Sequence, residues 1–401
     1  MHTLSMLHKL FESCDVVMHA KRRDALLKAV HSATAGHALT LSRLAAGMAG
    51  AAAVKHRVKC MDRLLGNARL HGECDAIYAA LSTQWLNGVE RPLIVVDWSD
   101  LSVDRRWQLL RASLVLEGRS ITLYEQTHPL SKLGSPKVHK AFLQRLNAML
   151  PPGTRPIVLT DAGFRSTWFK LIDALGWDWI GRIRNRDMVA RADGESWIGA
   201  KSLYAQATSI ARDLGAWCYV RNHPLACRLV LVKRAPQQRH AKSRLGKRVR
   251  SSHSRKQART QSEPWLLATS IGLAHLSADA IVALYAQRMQ IEEAFRDTKS
   301  ARFGLGFEWN RSRTGKRLSV LLLIAALAFY VLWLVGTAAK ARQLHLNFES
   351  VHRISRPVLS VLTLARLAIQ CAAPPHFTMQ QLRAALRSIQ EQLQHPHYAE
   401  I

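Results

Sequence analysis

The chain has 401 residues, 48% of them hydrophobic and 21% charged, which gives room for two or three domains with real cores and excludes general disorder. Lysine plus arginine number 57 against 28 aspartate plus glutamate, a formal net charge of +29 with a pI near 10.7. Such a balance predicts a polyanionic partner bound in a salt-sensitive way, nucleic acid first and an anionic membrane surface second.

The opening segment, MHTLSMLHKLFESCD, has no continuous apolar core behind a basic start, so no signal peptide is read. Cysteines are scattered without a C-x-x-C pair, which indicates neither a zinc site nor a disulfide framework and fits a reducing cytoplasm. Residues 1–85 read as an all-helical basic domain, with HAKRRDALLKAVHSA, TLSRLAAGMA and AAVKHRVKCMDRLLGN as helical stretches and the last two joined as in a helix-turn-helix. On the third stretch His56, Arg57, Lys59 and Arg63 form a basic face suited to a major groove, while Val58, Leu64 and Leu65 pack inward. A generic basic bundle explains the same pattern.

From Arg91 the pattern changes to strands. PLIVVDWSD is apolar until Asp97, and RWQLLRASLVLEG with RSITLYEQ forms a hairpin turned at Glu117 to Arg119. After a helix from about Ser135 to Leu150, PIVLTDAGF repeats the first device: an apolar strand, then Asp161, then a glycine turn into a helix. WDWIGRIR is a further strand. An aspartate closing a buried strand is ordinarily a solvent-facing cap. Here the device occurs twice, and Asp161 is the only acid between Glu125 and Asp173. The element order is that of a ribonuclease-H-like α/β core, a mixed sheet flanked by helices, over residues 86–184 and again 264–344.

Residues 185–263 interrupt that core; LACRLVLVKRA predicts a β-rich insertion, and no acid occurs from Leu214 to Ser262. The run after Arg234 lacks apolar periodicity and reads as a solvated basic loop or as a clamp on a DNA backbone. EPWLLATS then resumes the core as a strand holding Trp265. Residues 277–299 read as one helix with Ser277 as N-cap. On it Tyr285, Arg288, Glu292 and Lys299 fall within an arc of about 60° and climb roughly 21 Å, a span that suits a nucleic-acid strand better than a small-molecule substrate. A salt-bridged surface face has the same spacing.

Glu292 converging with Asp97 and Asp161 crowds three carboxylates, which is unfavourable without hard cations; Mg²⁺, with Mn²⁺ as substitute, suits such oxygen ligands. Leu318 to Ala339 carries no charge and is expected to be a buried core helix rather than a membrane span. Residues 345–401 read as helical and basic, broken at Pro357 and Pro374-Pro375, with ALRSIQEQLQ a candidate contact helix for a second subunit.

The spacing Y-x2-R-x3-E-x6-K over Tyr285, Arg288, Glu292 and Lys299, with DRLLGN, VDWSD, RASLVLEGRSITLYEQ and DAGF, resembles the DDE transposases of bacterial insertion sequences, and among them the insertion-sequence-four family. The resemblance implies an enzyme that binds terminal inverted repeats, nicks each end, passes through a DNA hairpin and joins the 3′ ends to target DNA, as a homodimer in one synaptic complex. It makes Asp97, Asp161 and Glu292 the catalytic metal ligands and gives Tyr285, Arg288 and Lys299 the terminal phosphates. Trp265 would stack on a flipped base and Met289 would be the apolar wedge displacing it. The rivals are a structure-selective nuclease of the same fold and a non-catalytic basic DNA-binding protein.

Overall fold

The structure, a computed structural model, describes residues 2–13, 16–102, 104–116, 118–184, 187–235, 251–252, 263–349, 359–371 and 373–394. In chain order it opens with helices α1 (His2–Ser13), α2 (Ala20–Thr34), α3 (Leu41–Gly47), α4 (Val54–Leu65) and α5 (Ala68–Leu86). Strands β1 (Leu93–Asp100), β2 (Trp107–Val115) and β3 (Ser120–Pro129) follow, then α6 (Pro136–Met149), β4 (Ile157–Thr160), α7 (Ser166–Asp173) and β5 (Asp178–Ile183). The expected insertion supplies β6 (Met188–Arg191), β7 (Ile198–Gly199), β8 (Arg212–Tyr219) and β9 (Leu225–Val232). The chain continues through β10 (Trp265–Thr269), α8 (Ala278–Ala286), α9 (Gln290–Lys299), α10 (Gly315–Ala341), α11 (Val361–Gln370) and α12 (Met379–Gln394). Most of the basic run, the hairpin residue Glu117 and the break at Pro357 lie outside the described residues.

Two compact units result: one holds the described residues up to Thr154 and again from Met289 onward, and the other holds those of Arg155–Arg288. In the first, three antiparallel strands run in the order β3-β2-β1. Leu93 to Val96 are buried and exposure begins at Asp97, yet β1 continues to Asp100. The acid therefore marks where burial stops and not, as expected, where the strand ends. Pairing of Asp97 with Arg111 and of Asp100 with Gln108 carries the ladder beyond it.

The middle of this unit is α10, apolar on every side and packed against α2, α5, α11, α12 and β3. By length and composition it resembles a membrane span, but 94% of its apolar stretch is buried inside the protein, as expected of a core helix. A Cβ at Gly336 would lie 2.2 Å from the carbonyl oxygen of Val361, so the glycine permits the close approach of α11. At the N-terminal side α3, capped by Thr40, packs on α4. Met61, Leu64 and Leu65 form the buried face of α4, with Val58 only half-buried.

The second unit holds seven strands in the order β4-β5-β10-β9-β8-β6-β7, parallel between β4 and β5 and antiparallel elsewhere. Helix α7 packs on β5, and α8 on β5 and β9.

Residues 277–299 are not the single α-helix expected. Ser277 does cap α8, accepting from the Ala280 N–H at 3.1 Å, but a 3₁₀ turn over Gln287–Met289 separates α8 from α9. Such a turn winds about 120° per residue instead of about 100°, so an arc calculated for a uniform helix does not carry across it. The boundary between the units falls in the same turn.

Candidate active site

In the first unit α9, which carries Glu292 and Lys299, packs on β1, which carries Asp97. Asp97 is half-buried and its Oδ1 accepts the N–H of Trp98 at 2.7 Å; Glu292 is exposed in the first turn of α9. Lys299 ends the helix and donates from Nζ to Ser99 Oγ at 2.5 Å, two residues along the strand from Asp97. Burial, and next the Arg111 guanidinium, lower its ammonium to about 8, while Asp100 and Asp97 act the other way.

That value predicts a pH response with a definite sign. Lys299 carries its charge below pH 8 and loses it above, so a phosphate contact made by Nζ weakens as the solution becomes alkaline. Duplex-end affinity measured in EDTA should fall by up to about tenfold between pH 7 and pH 9. In Lys299→Arg, whose guanidinium stays charged throughout, the fall should disappear. Parallel curves for the two proteins would reject the expectation that Lys299 contacts a phosphate.

Polar anchors fix α9 to the hairpin. The Leu116 N–H donates to Gln290 Oε1 (3.2 Å), and Arg119 pairs with Asp297 (2.9 Å) and Glu293 (3.4 Å). Near the helix end Arg111 donates to Thr298 Oγ1 (3.2 Å) and to the Ala294 carbonyl (3.4 Å), with its guanidinium over the Phe295 ring. The same guanidinium pairs with Glu125 at 2.6 Å, both side chains 1% exposed, and Glu125 also accepts from the Tyr78 hydroxyl at 3.0 Å. Sequence reasoning singled out none of these anchors.

Behind Asp97, the Trp98 indole N–H donates to His139 Nε2 at 3.1 Å, and His128 lies edge-on to the same indole. The acceptor nitrogen must carry no proton, and burial, with His128 adding to it, lowers His139 to about 4. The unfolded chain binds that proton below pH 6.5 and the folded one does not, so stability is lost as pH falls from 6.5 towards 4, by up to about 3 kcal/mol. His139→Gln keeps an acceptor and does not titrate. Its urea midpoint should depend less on pH over this interval, and an unchanged dependence would exclude His139 as the source.

In the second unit Asp161 directly follows β4. Its Oδ1 accepts the Gly163 N–H at 2.7 Å, and a Cβ at position 163 would stand 2.9 Å from that oxygen, so the glycine of DAGF lets the carboxylate hold this orientation. Trp265 opens β10 half-buried, with the Tyr285 ring edge-on at 5.0 Å and Arg234 stacked over it at 4.9 Å. Arg182 donates to the Glu263 and Pro264 carbonyls (3.2 Å each) and Arg184 pairs with Glu263 (3.1 Å), which pins the entry to this strand. Tyr285 is only 3% exposed, and burial raises its pKa while Arg288 and Arg182 oppose. Its phenol is therefore shielded rather than displayed on an open stripe; Arg288 stands beside its ring at 5.9 Å.

Met289 is half-buried at the start of α9. On α4 His56, Lys59 and Arg63 are exposed, whereas Arg57 turns back to donate to the Ala46 (3.1 Å) and Met48 (2.7 Å) carbonyls at the end of α3. Packing brings the strand of Asp97 and the helix of Glu292 together, while Asp161 belongs to the other unit. Among the described residues no three histidine, cysteine or acidic side chains are grouped to hold a metal ion. As donors, however, the carboxylates of Asp97, Asp161 and Glu292 have the hard oxygen chemistry that Mg²⁺ and Mn²⁺ prefer.

No curated protein matches the chain. A family model described as Transposase DDE domain matches residues 89–331, a span that encloses Asp97, Asp161, Trp265, Tyr285, Arg288, Glu292 and Lys299. That match takes in more than half of the 401 residues, and the chain belongs to the DDE transposase family.

Proposed function

We propose that this protein is a cut-and-paste transposase of the insertion-sequence-four family, resembling the transposase of transposon ten. On this reading it binds terminal inverted repeats as a homodimer, excises its element through a hairpin and joins the 3′ ends to target DNA in the cytoplasm. One observation carries the proposal: the family match encloses all three acids, and two of them stand on elements packed together, with Lys299 of the same helix bonded to Ser99 of the same strand.

Asp97, Asp161 and Glu292 would hold the divalent ions that this family uses. Such ions would make a bound water or hydroxyl oxygen nucleophilic and would offset the charge on the leaving oxygen. Lys299 and Arg288 take the terminal phosphates, and the buried Tyr285 supports Trp265 from its edge. Arg234, planar and charged, occupies a face of Trp265 and would yield that face to a flipped base. Met289 is the wedge, and His56, Lys59 and Arg63 read the repeat. Residues 1–85 act as the reading module, 185–263 as the inserted sheet with its basic loop, and 345–401 as a subunit contact.

The test uses purified protein, Mg²⁺ and a duplex ending in the repeat that bounds its own reading frame. Nicks and then hairpins are expected. Trp265→Ala should keep the first nick and lose hairpins by at least about tenfold, the scale of one base-stacking contact. Binding without any nick would leave only a DNA-binding protein, and nicking of branched DNA irrespective of the repeat would leave a nuclease.

A further inference from the structure

Two clefts in the first unit share Arg311, Ser312 and Arg313. The larger, of about 700 Å³, starts at Lys299 and the end of β1 and passes Arg105, Arg106 and Trp107. The second, of about 560 Å³, continues to Arg43 and Arg317 and is walled by Trp309. They lie outside the acids and phosphate contacts assigned above, except at Lys299.

Charge and exposure give this furrow a specific character. Its acids are engaged: Asp100 with Arg105 (3.3 Å), Asp104 with Arg106 (3.7 Å) and Glu308 with the Ala301 N–H (2.7 Å). Arg317 pairs with Asp62 at 2.7 Å, but among the described residues Arg43, Arg311 and Arg313 have no carboxylate partner. Trp309 is 56% exposed, the reverse of the usual fate of an indole. At the lip, Arg105 is held at φ 54°, a left-handed conformation that a non-glycine residue adopts only when its surroundings impose it. The turn that imposes it includes the Arg105 N–H bonded to the Ser102 carbonyl (3.0 Å) and the Arg106 N–H bonded to Asp104 Oδ1 (3.1 Å).

Arginines without acid partners select phosphates, and an open indole selects flat faces that can stack on it. A double helix offers the first and hides the second, because its bases are already stacked. We propose that this furrow seats single-stranded DNA, with a base on Trp309 and the backbone along Arg43, Arg311 and Arg313. Resting on the transposase reading, the occupant is the strand freed when an end is opened beside Asp97, which the furrow leads away from the acids.

The probe is oligothymidylate of about twelve nucleotides, within the range one such groove covers. The full chain is titrated with it and, separately, with a mixed-sequence duplex. Trp309→Ala should weaken oligothymidylate by about tenfold, with Trp309→Phe recovering most of the loss. Arg311→Ala combined with Arg313→Ala should lower the slope of log affinity against log salt by about 1.4, two phosphate contacts on a single strand. Duplex affinity should change by less than about twofold in every variant. Equal losses on duplex and single strand would overturn the proposal in favour of a duplex seat or a general positive field, and unchanged oligothymidylate binding in Trp309→Ala would overturn it outright. Mg²⁺-dependent nicking by the unaltered protein is scored apart: its absence defeats the transposase reading without touching the furrow, and its presence does not rescue the furrow.

Discussion

Glu292→Ala is expected to abolish Mg²⁺-dependent nicking, by at least about 1,000-fold, while binding of the inverted repeat stays within a few-fold of the unaltered protein. The size follows from the role. Loss of one carboxylate from a divalent-metal site removes both a ligand and the charge that draws the ion in, and 1,000-fold is about 4 kcal/mol of transition-state stabilisation. The selectivity follows from position: Glu292 is exposed in the first turn of α9, where truncation typically costs no more than about 0.5 kcal/mol of stability. Its neighbour is the control. Glu293 pairs with Arg119 at 3.4 Å and also with Arg296, so Glu293→Ala loosens the helix surface and should keep nicking. End-labelled duplex resolved on a denaturing gel reads both variants. Full nicking by Glu292→Ala, or equal losses in the two, would remove Glu292 from the chemistry.

Two of the candidate acids stand out in the sequence because each interrupts a pattern. Asp97 and Asp161 follow runs that local physics makes into buried strands, and a charge after such a run is conspicuous. Gly163 was legible for a similar reason, since DAGF reads as a turn before its hydrogen bond is known. The break between α8 and α9 was not, because Gln287, Arg288 and Met289 are all good helix formers and nothing in their side chains announces a 3₁₀ turn. Hidden for another reason was the partner of Arg111. Counting back from the hairpin, where Val115 faces Ser120, puts Tyr124 opposite Arg111. A register shift between Ala112 and Ser113 moves the pairing by one residue, and Glu125 takes that place. One extra residue in a strand is invisible to alternation, yet it decides which side chains meet.

That shift underlies the second large effect. Glu125→Leu should destabilise the protein by roughly 3–5 kcal/mol, because Arg111 remains charged with no carboxylate in a site where both partners are 1% exposed. Against a typical total of about 5–15 kcal/mol, that is enough to lower the denaturation midpoint sharply. The penalty belongs to the orphaned charge rather than to the bond. Arg111→Met with Glu125→Leu should therefore restore most of the stability, since a well-packed apolar pair often replaces a buried ion pair at no net cost. Activity should not follow stability back. The double variant still lacks the donors that Thr298 and the Ala294 carbonyl receive from Arg111, and these tie the end of α9, with Lys299, to β2. Chemical denaturation and nicking measured on the unaltered protein and on both variants separate the two roles. A double variant that regains both would make Arg111 a filler of the core, whereas one that regains stability but nicks at least about tenfold more slowly would make it the residue that sets where α9 stands.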